Sequence, residues 1–332
     1  MMTVRVGIIG PGDVARLHVE ALRAGGAEVT AVAGLTRQTA QEFAAEHRIP
    51  SAVSGAEALL ARCDVDAVVI ATPSPMHAAQ SLAAVRAGKH VLCEIPGGMS
   101  AAESRAVAEA CDRTGISVMV AHTLRFADPW MRLRAEISQG SLTVRHLILR
   151  RTMLRRSNTS WSGQPRSWND SILWHHGAHQ VDLTLWLLQG ERPDSSESTA
   201  TGVLGAPWEH NGQPMDLGAT IRVGEGAIAS LSLSYHSTVS VEDALVIAEE
   251  ATFALSDGML LRVAPDGLAQ PWPLSAEPPK GQPASGTDLM KFAALRAQDA
   301  EFVAAIEEGR EPRCSIRDVQ ATMTLLDALA GA

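Results

Sequence analysis

The sequence predicts an α/β fold in two domains: a doubly wound parallel sheet at residues 1–123, then an α+β domain with an open, mainly antiparallel sheet at 124–332. Apolar strand patterns alternate with helix patterns through the first 120 residues. After residue 124 the pattern changes to short β-rich runs separated by Gly, Asp, Asn and Pro. The length of 332 residues also exceeds what one compact core normally holds.

The first domain begins with a strand at residues 4–9, a continuous apolar run that suits a strand covered on both faces. A helix follows at residues 13–23 and ends at Gly25-Gly26. Alternating elements of this kind form a parallel sheet with helices on both faces. The same patterns predict further strands at 29–33, 67–71, 91–93 and 117–121, and further helices at 39–46, 76–86 and 101–113.

The second domain is predicted to consist mostly of short strands. One helix at 179–188 interrupts them, and a proline-rich segment at 271–285 is predicted to be a surface loop. Helical periodicity returns over residues 290–329, with a break near 309–312. An open sheet leaves a face that needs cover, so we expect a homodimer or a homotetramer. The β-rich runs lie within residues 142–154, 219–223, 227–236, 244–249, 251–256 and 259–263.

Composition and charge exclude several classes of function. Apolar residues make up 46% and charged residues 20% of the chain, which is the balance of a folded soluble protein. The net charge of −9 disfavours nucleic acid as a partner, and no apolar run approaches the length of a membrane span. The four cysteines lie far apart without a C-x-x-C pair, and the N-terminus lacks a secretory signal pattern. We expect a cytoplasmic protein with reduced thiols and no membrane or nucleic-acid partner.

A glycine motif, Gly10-Pro11-Gly12-Asp13-Val14-Ala15, stands between the first strand and the first helix. Gly10 allows a tight turn, Gly12 lets the backbone approach a pyrophosphate, and Ala15 permits close packing of helix on strand. The helix N-terminus offers free N–H groups to the phosphates. A glycine turn without a ligand is the alternative. The context on both sides favours a Rossmann domain that binds a dinucleotide.

The end of the second strand bears on which nucleotide is bound. An NAD site carries an acidic residue there for the ribose 2′-hydroxyl. This chain has AVAGLTRQT at residues 31–39, where Thr36 and Arg37 occupy the place of the acidic residue. An arginine fork suits a 2′-phosphate, although a solvated arginine at a helix cap would give the same pattern. The sequence favours NADP and leaves NAD possible.

The segment from 174 to 182, WHHGAHQVD, is predicted to carry the chemistry. His175 and His179 are four residues apart and share a helix face, and His179 and Asp182 also share one. Zinc is an alternative, but no cluster of cysteines or carboxylates accompanies the histidines, so we predict no metal. Oxidation of a C–OH group needs a base, which His179, His176 or His175 can supply. Asp182 either orients a histidine or makes a structural bond.

A cluster of arginines suggests a small anionic substrate. Most of these side chains suit a solvated face. Arg125 and Arg166 have apolar and aromatic neighbours, so we expect them to point into a pocket and fork a carboxylate. The cluster comprises Arg125, Arg150, Arg151, Arg155, Arg156 and Arg166.

Taken together, these motifs resemble the Gfo/Idh/MocA family of oxidoreductases along essentially the full chain. The resemblance is carried by the glycine motif, ATPSPMH at 71–77, GKHVLCEIP at 88–96 and the pair His179-x-x-Asp182. A closer similarity, strongest from 155 to 183, is to family members that oxidise ring-cleavage semialdehydes in aromatic catabolism. The resemblance implies that substrate contacts come from Arg125, Arg166, Trp168, His175 and His176, and cofactor contacts also from Thr72, Pro73, His77, Glu94 and Pro96.

That similarity implies NADP-dependent oxidation of a semialdehyde, in its cyclic hemiacetal form, to a pyrone lactone. Most of the family has Glu-Lys-Pro where this chain has Glu94-Ile95-Pro96, so the histidines would act in place of the lysine. The similar enzymes also carry two adjacent arginines where this chain has Leu124 and Arg125. Either the substrate lacks one carboxylate, or it places another polar group near Leu124. A sugar, cyclitol or natural-product ketone remains an alternative substrate, and a non-catalytic cofactor-binding protein is a third hypothesis.

Overall fold

The computed structural model describes residues 3–155, 157, 171–272 and 286–331. These residues form two compact units. The first unit comprises residues 3–122 and 295–320. The second comprises the described residues of 123–294 together with 321–331.

The first unit contains a six-stranded sheet whose strands are all parallel. Its strand order is 3-2-1-4-5-6, counted in chain order. This confirms the predicted doubly wound sheet. The strands are β1 (Arg5–Ile9), β2 (Glu28–Gly34), β3 (Ser51–Ser54), β4 (Ala67–Ile70), β5 (His90–Cys93) and β6 (Val118–Val120), and the helices are α1 (Asp13–Ala24), α2 (Arg37–His47), α3 (Ala56–Leu60), α4 (His77–Arg86) and α5 (Ala101–Thr114).

The central strands are apolar because helices cover both faces of the sheet. All four residues of β4 are buried, and so are four of the five residues of β1. The sequence pattern missed β3 and α3. β3 is an edge strand of three half-buried residues and one exposed residue, with serine at both ends, so it carries no apolar run.

The second unit contains an eight-stranded sheet that is antiparallel except for one parallel pair. Its strand order is 14-13-12-11-7-10-9-8, and strands 7 and 10 are the parallel neighbours. This confirms the open, mainly antiparallel sheet. The strands are β7 (Val144–Leu154), β8 (Ser198–Leu204), β9 (Asp216–Val223), β10 (Ala227–Ser234), β11 (His236–Ala248), β12 (Thr252–Ser256), β13 (Met259–Val263) and β14 (Ala269–Trp272).

Four further helices complete the described elements. They are α6 (Asp128–Ser138), α7 (Ala178–Gln189), α8 (Gly286–Glu308) and α9 (Gln320–Ala330). A π-helical turn, Leu173–Gly177, precedes α7. Among these helices and those of the first unit, none is both long and apolar enough to cross a membrane.

The proline-rich segment requires a correction. Residues 271 and 272, predicted to begin a loop, belong to β14 and pair with β13. Pro271 is tolerated there because β14 is the outermost strand, where a missing N–H costs little. The remainder of the predicted loop, 273–285, lies outside the described residues.

Candidate active site

The glycine motif forms a cradle at the carboxyl end of β1. Gly10 has a φ of +97°, and a Cβ there would lie 2.6 Å from the carbonyl oxygen of Ala71. A Cβ at Gly12 would meet nothing within 4 Å, so the backbone of Gly12 faces open space. Gly12 is the N-cap of α1 and offers no side chain to the first N–H groups of that helix. An open cradle under a helix N-terminus fits a pyrophosphate.

The other motif residues flank this cradle. Pro11, Asp13 and Val14 are half-buried at the start of α1. Strands β1 and β4 are neighbours at the point where the strand order reverses. In doubly wound sheets a ligand binds in the crevice at that reversal.

The predicted 2′-phosphate residues lie at the start of α2. The hydroxyl of Thr36 accepts a hydrogen bond from the backbone N–H of Thr39 at 3.2 Å, so Thr36 is the N-cap of α2. Arg37 opens the helix and is exposed. Thr36 therefore shapes the turn, and the guanidinium of Arg37 is the charged group presented there.

Thr72, Pro73 and His77 shape the loop after β4. The hydroxyl of Thr72 donates to the side chain of Gln80 at 2.6 Å, and Pro73 precedes a short 3₁₀ turn. The ring of His77, only 1% exposed, has Nε2 2.8 Å from the carbonyl oxygen of Thr72 and Nδ1 2.9 Å from that of Pro96. Since both oxygens only accept, both ring nitrogens donate and His77 is an imidazolium.

The charge of His77 is consistent with its surroundings. Burial opposes the charged form, but Cys93 and the two carbonyl oxygens outweigh burial and raise the pKa of His77 to about 9. Both ring nitrogens are used inside the protein. The expected contribution of His77 to a cofactor is therefore indirect, through the loops after β4 and β5 that it joins.

The stability of the protein should depend on this cation. In the unfolded chain a histidine titrates near 6.5, so the stability supplied by His77 is complete below that pH and is lost as pH rises through about 9. We expect the free energy of unfolding in urea to fall between pH 7 and pH 10. His77→Gln should reduce that fall by up to about 3 kcal/mol. His210→Gln, at an exposed site, is the control, and an unchanged fall in His77→Gln would contradict the assignment.

Glu94 and Ile95 follow β5. The backbone N–H of Glu94 donates to Ile70 at 3.0 Å, which places Glu94 level with the end of β4. Its carboxylate approaches Nε2 of His18 at 2.9 Å and accepts from the N–H of Ile95 at 3.2 Å. Ile95 is 7% exposed, and a cis peptide bond joins it to Pro96. The carboxylate is therefore held by a buried histidine.

His18 and a second buried acid, Asp299, were missed by sequence reasoning. His18 lies on the same stripe of α1 as Val14 and Ala21, and a histidine on an apolar stripe was the available signal. Asp299 is 281 residues away in the chain and gave no local signal.

The histidine segment forms a compact aromatic cluster in the second unit. His175 Nδ1 lies 2.9 Å from the hydroxyl of Tyr235, and the rings of His175 and His176 stack with centroids 4.2 Å apart. The ring of His179, in the first turn of α7, lies 6.5 Å from that of His175. Tyr235 is fully buried and is the single tyrosine of the chain, a rarity that could have marked it.

His176 is neutral. Burial lowers its pKa well below 6.5, and the nearby His175, Arg151 and Lys291 lower it further. Its Nε2 is buried and has no hydrogen-bond partner among the residues that the structure describes. A neutral imidazole with an unused nitrogen can bind a hydroxyl group of a ligand.

Three cationic side chains and one carboxylate lie near these rings. The carboxylate of Glu242 lies 3.1 Å from the guanidinium of Arg151 and 2.5 Å from the amine of Lys291. The guanidinium of Arg155 lies over the ring of Tyr235 at 5.3 Å. Arg151, Lys291 and Arg155 together outweigh the charge of Glu242, so the surroundings of the histidine cluster carry a net positive charge.

The prediction for Arg125 requires a correction, because its partner is Asp182. Arg125 forks the Asp182 carboxylate with N···O distances of 2.8 and 2.7 Å, and Thr322 donates to the same carboxylate at 3.0 Å. The two charged side chains are 2% and 1% exposed. The third nitrogen of Arg125 faces Glu191. The guanidinium of Arg125, which was expected to bind a substrate carboxylate, binds an internal carboxylate instead. Asp182 makes a structural bond, which was one of the two roles predicted for it.

The other residues predicted for the site differ in their surroundings. Leu124 is buried, with 6% exposed. Arg150 pairs with Asp243 on the opposite strand and is exposed. Arg156, Arg166 and Trp168 lie outside the described residues. Within the described ranges no group of three or more His, Cys, Asp or Glu side chains is placed to hold a metal ion.

Comparison with known proteins identifies the family. Residues 4–122 match the family model of the NAD-binding Rossmann domain of Gfo/Idh/MocA oxidoreductases, and residues 128–258 match that of the C-terminal domain of bacterial oxidoreductases. A 4-carboxy-2-hydroxymuconate-6-semialdehyde dehydrogenase from Sphingobium sp. (strain SYK-6) is 32% identical over 95% of this chain and 94% of its own. An inositol 2-dehydrogenase from Rhizobium meliloti is 27% identical over 98% and 96%.

A solved structure shows the same fold. The crystal structure of an oxidoreductase from Agrobacterium radiobacter, in complex with NAD⁺, L-tartaric acid and magnesium, covers 99% of this chain and 96% of its own. It superposes with a TM-score of 0.84 at 20% identity. With the two family models and the full-length relatives, this chain belongs to the Gfo/Idh/MocA family of NAD(P)-dependent oxidoreductases.

Proposed function

We propose that the protein oxidises a ring-cleavage semialdehyde, in its cyclic hemiacetal form, to a pyrone lactone with NADP. The observation that carries this proposal is the cluster of His175, His176, His179 and Tyr235, which accompanies an isoleucine at position 95. Ile95 has no titratable group, so acid/base chemistry falls to the histidines. The relative from Sphingobium, which aligns over 95% of this chain and 94% of its own, supports this substrate class.

The chemistry follows from the residues. A hemiacetal is already an alcohol, so its oxidation needs removal of one proton and one hydride and needs no cysteine nucleophile. The nicotinamide, when bound, accepts the hydride. We assign the removal of the hydroxyl proton to His179, and we assign to neutral His176 a hydrogen bond to the reacting oxygen. The product is then the lactone carbonyl.

The test is steady-state formation of NADPH from a panel of substrates. The panel contains 4-carboxy-2-hydroxymuconate-6-semialdehyde, a variant that lacks one carboxylate, myo-inositol and several pyranoses. We expect turnover of a semialdehyde and no comparable turnover of the sugars. Absence of semialdehyde turnover together with efficient oxidation of a pyranose would reject the proposal.

A sugar, cyclitol or natural-product ketone is the second candidate substrate. Leu124 favours it, because this buried apolar side chain replaces one of the two arginines expected in the semialdehyde enzymes. The full-length similarity to an inositol 2-dehydrogenase favours it as well. The same panel separates the two candidates.

The cofactor preference can be tested at Arg37. We propose NADP because Arg37 is the exposed cation at the end of β2, where an NAD site would carry an acid. Loss of a charge-assisted bond should make Arg37→Gln bind NADP⁺ about 10- to 100-fold more weakly, with little change for NAD⁺. Arg86→Gln, at an exposed position in α4, is the matched control. Equal losses for both nucleotides, measured by calorimetric titration, would contradict a 2′-phosphate role.

The assembly is proposed to be a homodimer or a homotetramer, with a second copy covering the open sheet. Ile148 and Leu245 are directly opposite each other on β7 and β11, and Leu245 is 39% exposed. Apolar neighbours at the centre of a sheet favour burial against another surface. Sedimentation at micromolar concentration should show an oligomer that Leu245→Lys weakens. A monomeric wild type would reject this proposal.

A further inference from the structure

Three charged side chains form a line inside the first unit. His18 of α1 lies between Asp299 of α8, at 2.8 Å from Nδ1, and Glu94 after β5, at 2.9 Å from Nε2. His18 and Asp299 are fully buried, whereas the Glu94 side chain is 19% exposed. The line therefore runs from the interior to the surface and ends in a carboxylate.

The contact with His18 keeps the carboxylate of Glu94 ionised. Each carboxylate accepts a hydrogen bond from His18, so the ring donates from both nitrogens and carries a positive charge. Burial opposes that charge, but Asp299 and Glu94 outweigh burial and raise the pKa of His18 to about 10. Burial raises the pKa of Asp299, and the hydrogen bonds that it accepts from His18 and from the side chain of Gln298 at 3.2 Å oppose that rise. The N–H of Ile95 donates to Glu94, which favours the ionised form of that carboxylate.

The position of Glu94 assigns it to one half of a bound dinucleotide. The pyrophosphate cradle at Gly12 lies at the end of β1, and Arg37 lies after β2, on one side of β1. With the 2′-substituent at Arg37, as proposed above, a dinucleotide held at Gly12 would have its adenosine half toward β2. Its nicotinamide half would then lie on the other side, toward β4 and β5. Glu94 follows β5, and its neighbour Ile95 supplies no cation.

We propose that His18 and Asp299 are positioning residues that keep Glu94 ionised on the nicotinamide half. The Glu94 carboxylate makes the site bind NADP⁺, whose ring is cationic, more tightly than NADPH, whose ring is neutral. This inference rests on the proposed oxidation with NADP. A site with this preference takes up the oxidised cofactor and releases the reduced one, as that direction requires.

The test measures dissociation constants of the full-length protein for NADP⁺ and NADPH separately, by calorimetry and by NADPH fluorescence. A charge interaction across a partly exposed site predicts that Glu94→Gln weakens NADP⁺ binding about tenfold and leaves NADPH within about twofold. His18→Gln should shift the ratio in the same direction, and Asp299→Asn should do so if His18→Gln does not fold. Asp112→Asn, which removes an exposed carboxylate from α5, should change neither constant.

Double variants separate positioning from general damage. In the Glu94→Gln background, His18→Gln and Asp299→Asn should leave the ratio unchanged, because the group they position is gone. An unchanged ratio in Glu94→Gln, or equal losses for both nucleotides, would overturn the inference. The nucleotide ratio is measured without substrate, so failure of semialdehyde turnover rejects the proposed substrate and leaves this result standing.

Discussion

Replacing His179 by alanine should lower kcat for the semialdehyde about 10²- to 10⁴-fold, the usual contribution of a positioned general base. The dissociation constant for NADP⁺ should not change, because the cofactor cradle belongs to residues 10–15 of the other unit. The measurement is steady-state formation of NADPH together with calorimetric titration of the nucleotide. A small residual rate should respond to added imidazole, which can replace the missing base.

Two further variants, His210→Ala and His176→Ala, show whether the effect is specific to His179. His210→Ala changes an exposed histidine of the same unit and should leave both kcat and binding at the wild-type level. His176→Ala should cost less than His179→Ala, because a histidine whose pKa lies well below 6.5 is a weak base near neutral pH. A full loss in His176→Ala with none in His179→Ala would assign the base to His176. Tight nucleotide binding without any turnover of the substrate panel by the wild type would instead favour a non-catalytic role.

The parts of the fold that the sequence predicted are those in which local pattern and burial agree. β1 and β4 are apolar throughout because helices cover both faces, so a continuous apolar run identified each of them. The sequence pattern did not predict β3 or β8, because both strands lie at sheet edges. In β8 only Ser198 is buried, and small polar residues occupy much of the strand. Edge strands are defined by their neighbours, which a single sequence does not show.

In the candidate site, too, the sequence predicted the features that local residues determine and missed those that depend on distant contacts. The geometry at Gly10 and Gly12 is dictated locally, so the motif predicted its position and its ligand class. The environment of Arg125 depends on Asp182, 57 residues away, and the flanking apolar residues of Arg125 fit a substrate fork and an internal ion pair equally well. The line from Glu94 through His18 to Asp299 depends on contacts across 76 and 281 residues. Pairings at such separations require the fold.

Removing one partner of the Arg125–Asp182 pair should destabilise the protein by about 3–5 kcal/mol, because an uncompensated charge would remain buried. Arg125→Met leaves the Asp182 carboxylate with Thr322 as its remaining neutral donor among the partners named above. Urea unfolding should show the loss as a lower midpoint with an unchanged slope. Arg150→Met, which breaks an exposed Arg–Asp pair on β7 and β11, should cost less than about 1 kcal/mol.

The double variant decides what this ion pair is for. Arg125→Met with Asp182→Leu replaces both charges by apolar side chains, so most of the stability lost in Arg125→Met should return. If the pair is structural, the double variant should also keep the wild-type KM for an anionic semialdehyde. If the fork of Arg125 binds substrate instead, Arg125→Met should fold with nearly wild-type stability and raise KM steeply, and the double variant should not restore KM. The structural explanation predicts that Arg125→Met loses stability and that the double variant recovers it with a wild-type KM. The substrate-binding explanation predicts a stable Arg125→Met with a raised KM that the double variant does not restore. The side chains of Arg125 and Asp182 are 2% and 1% exposed, which agrees with the structural explanation.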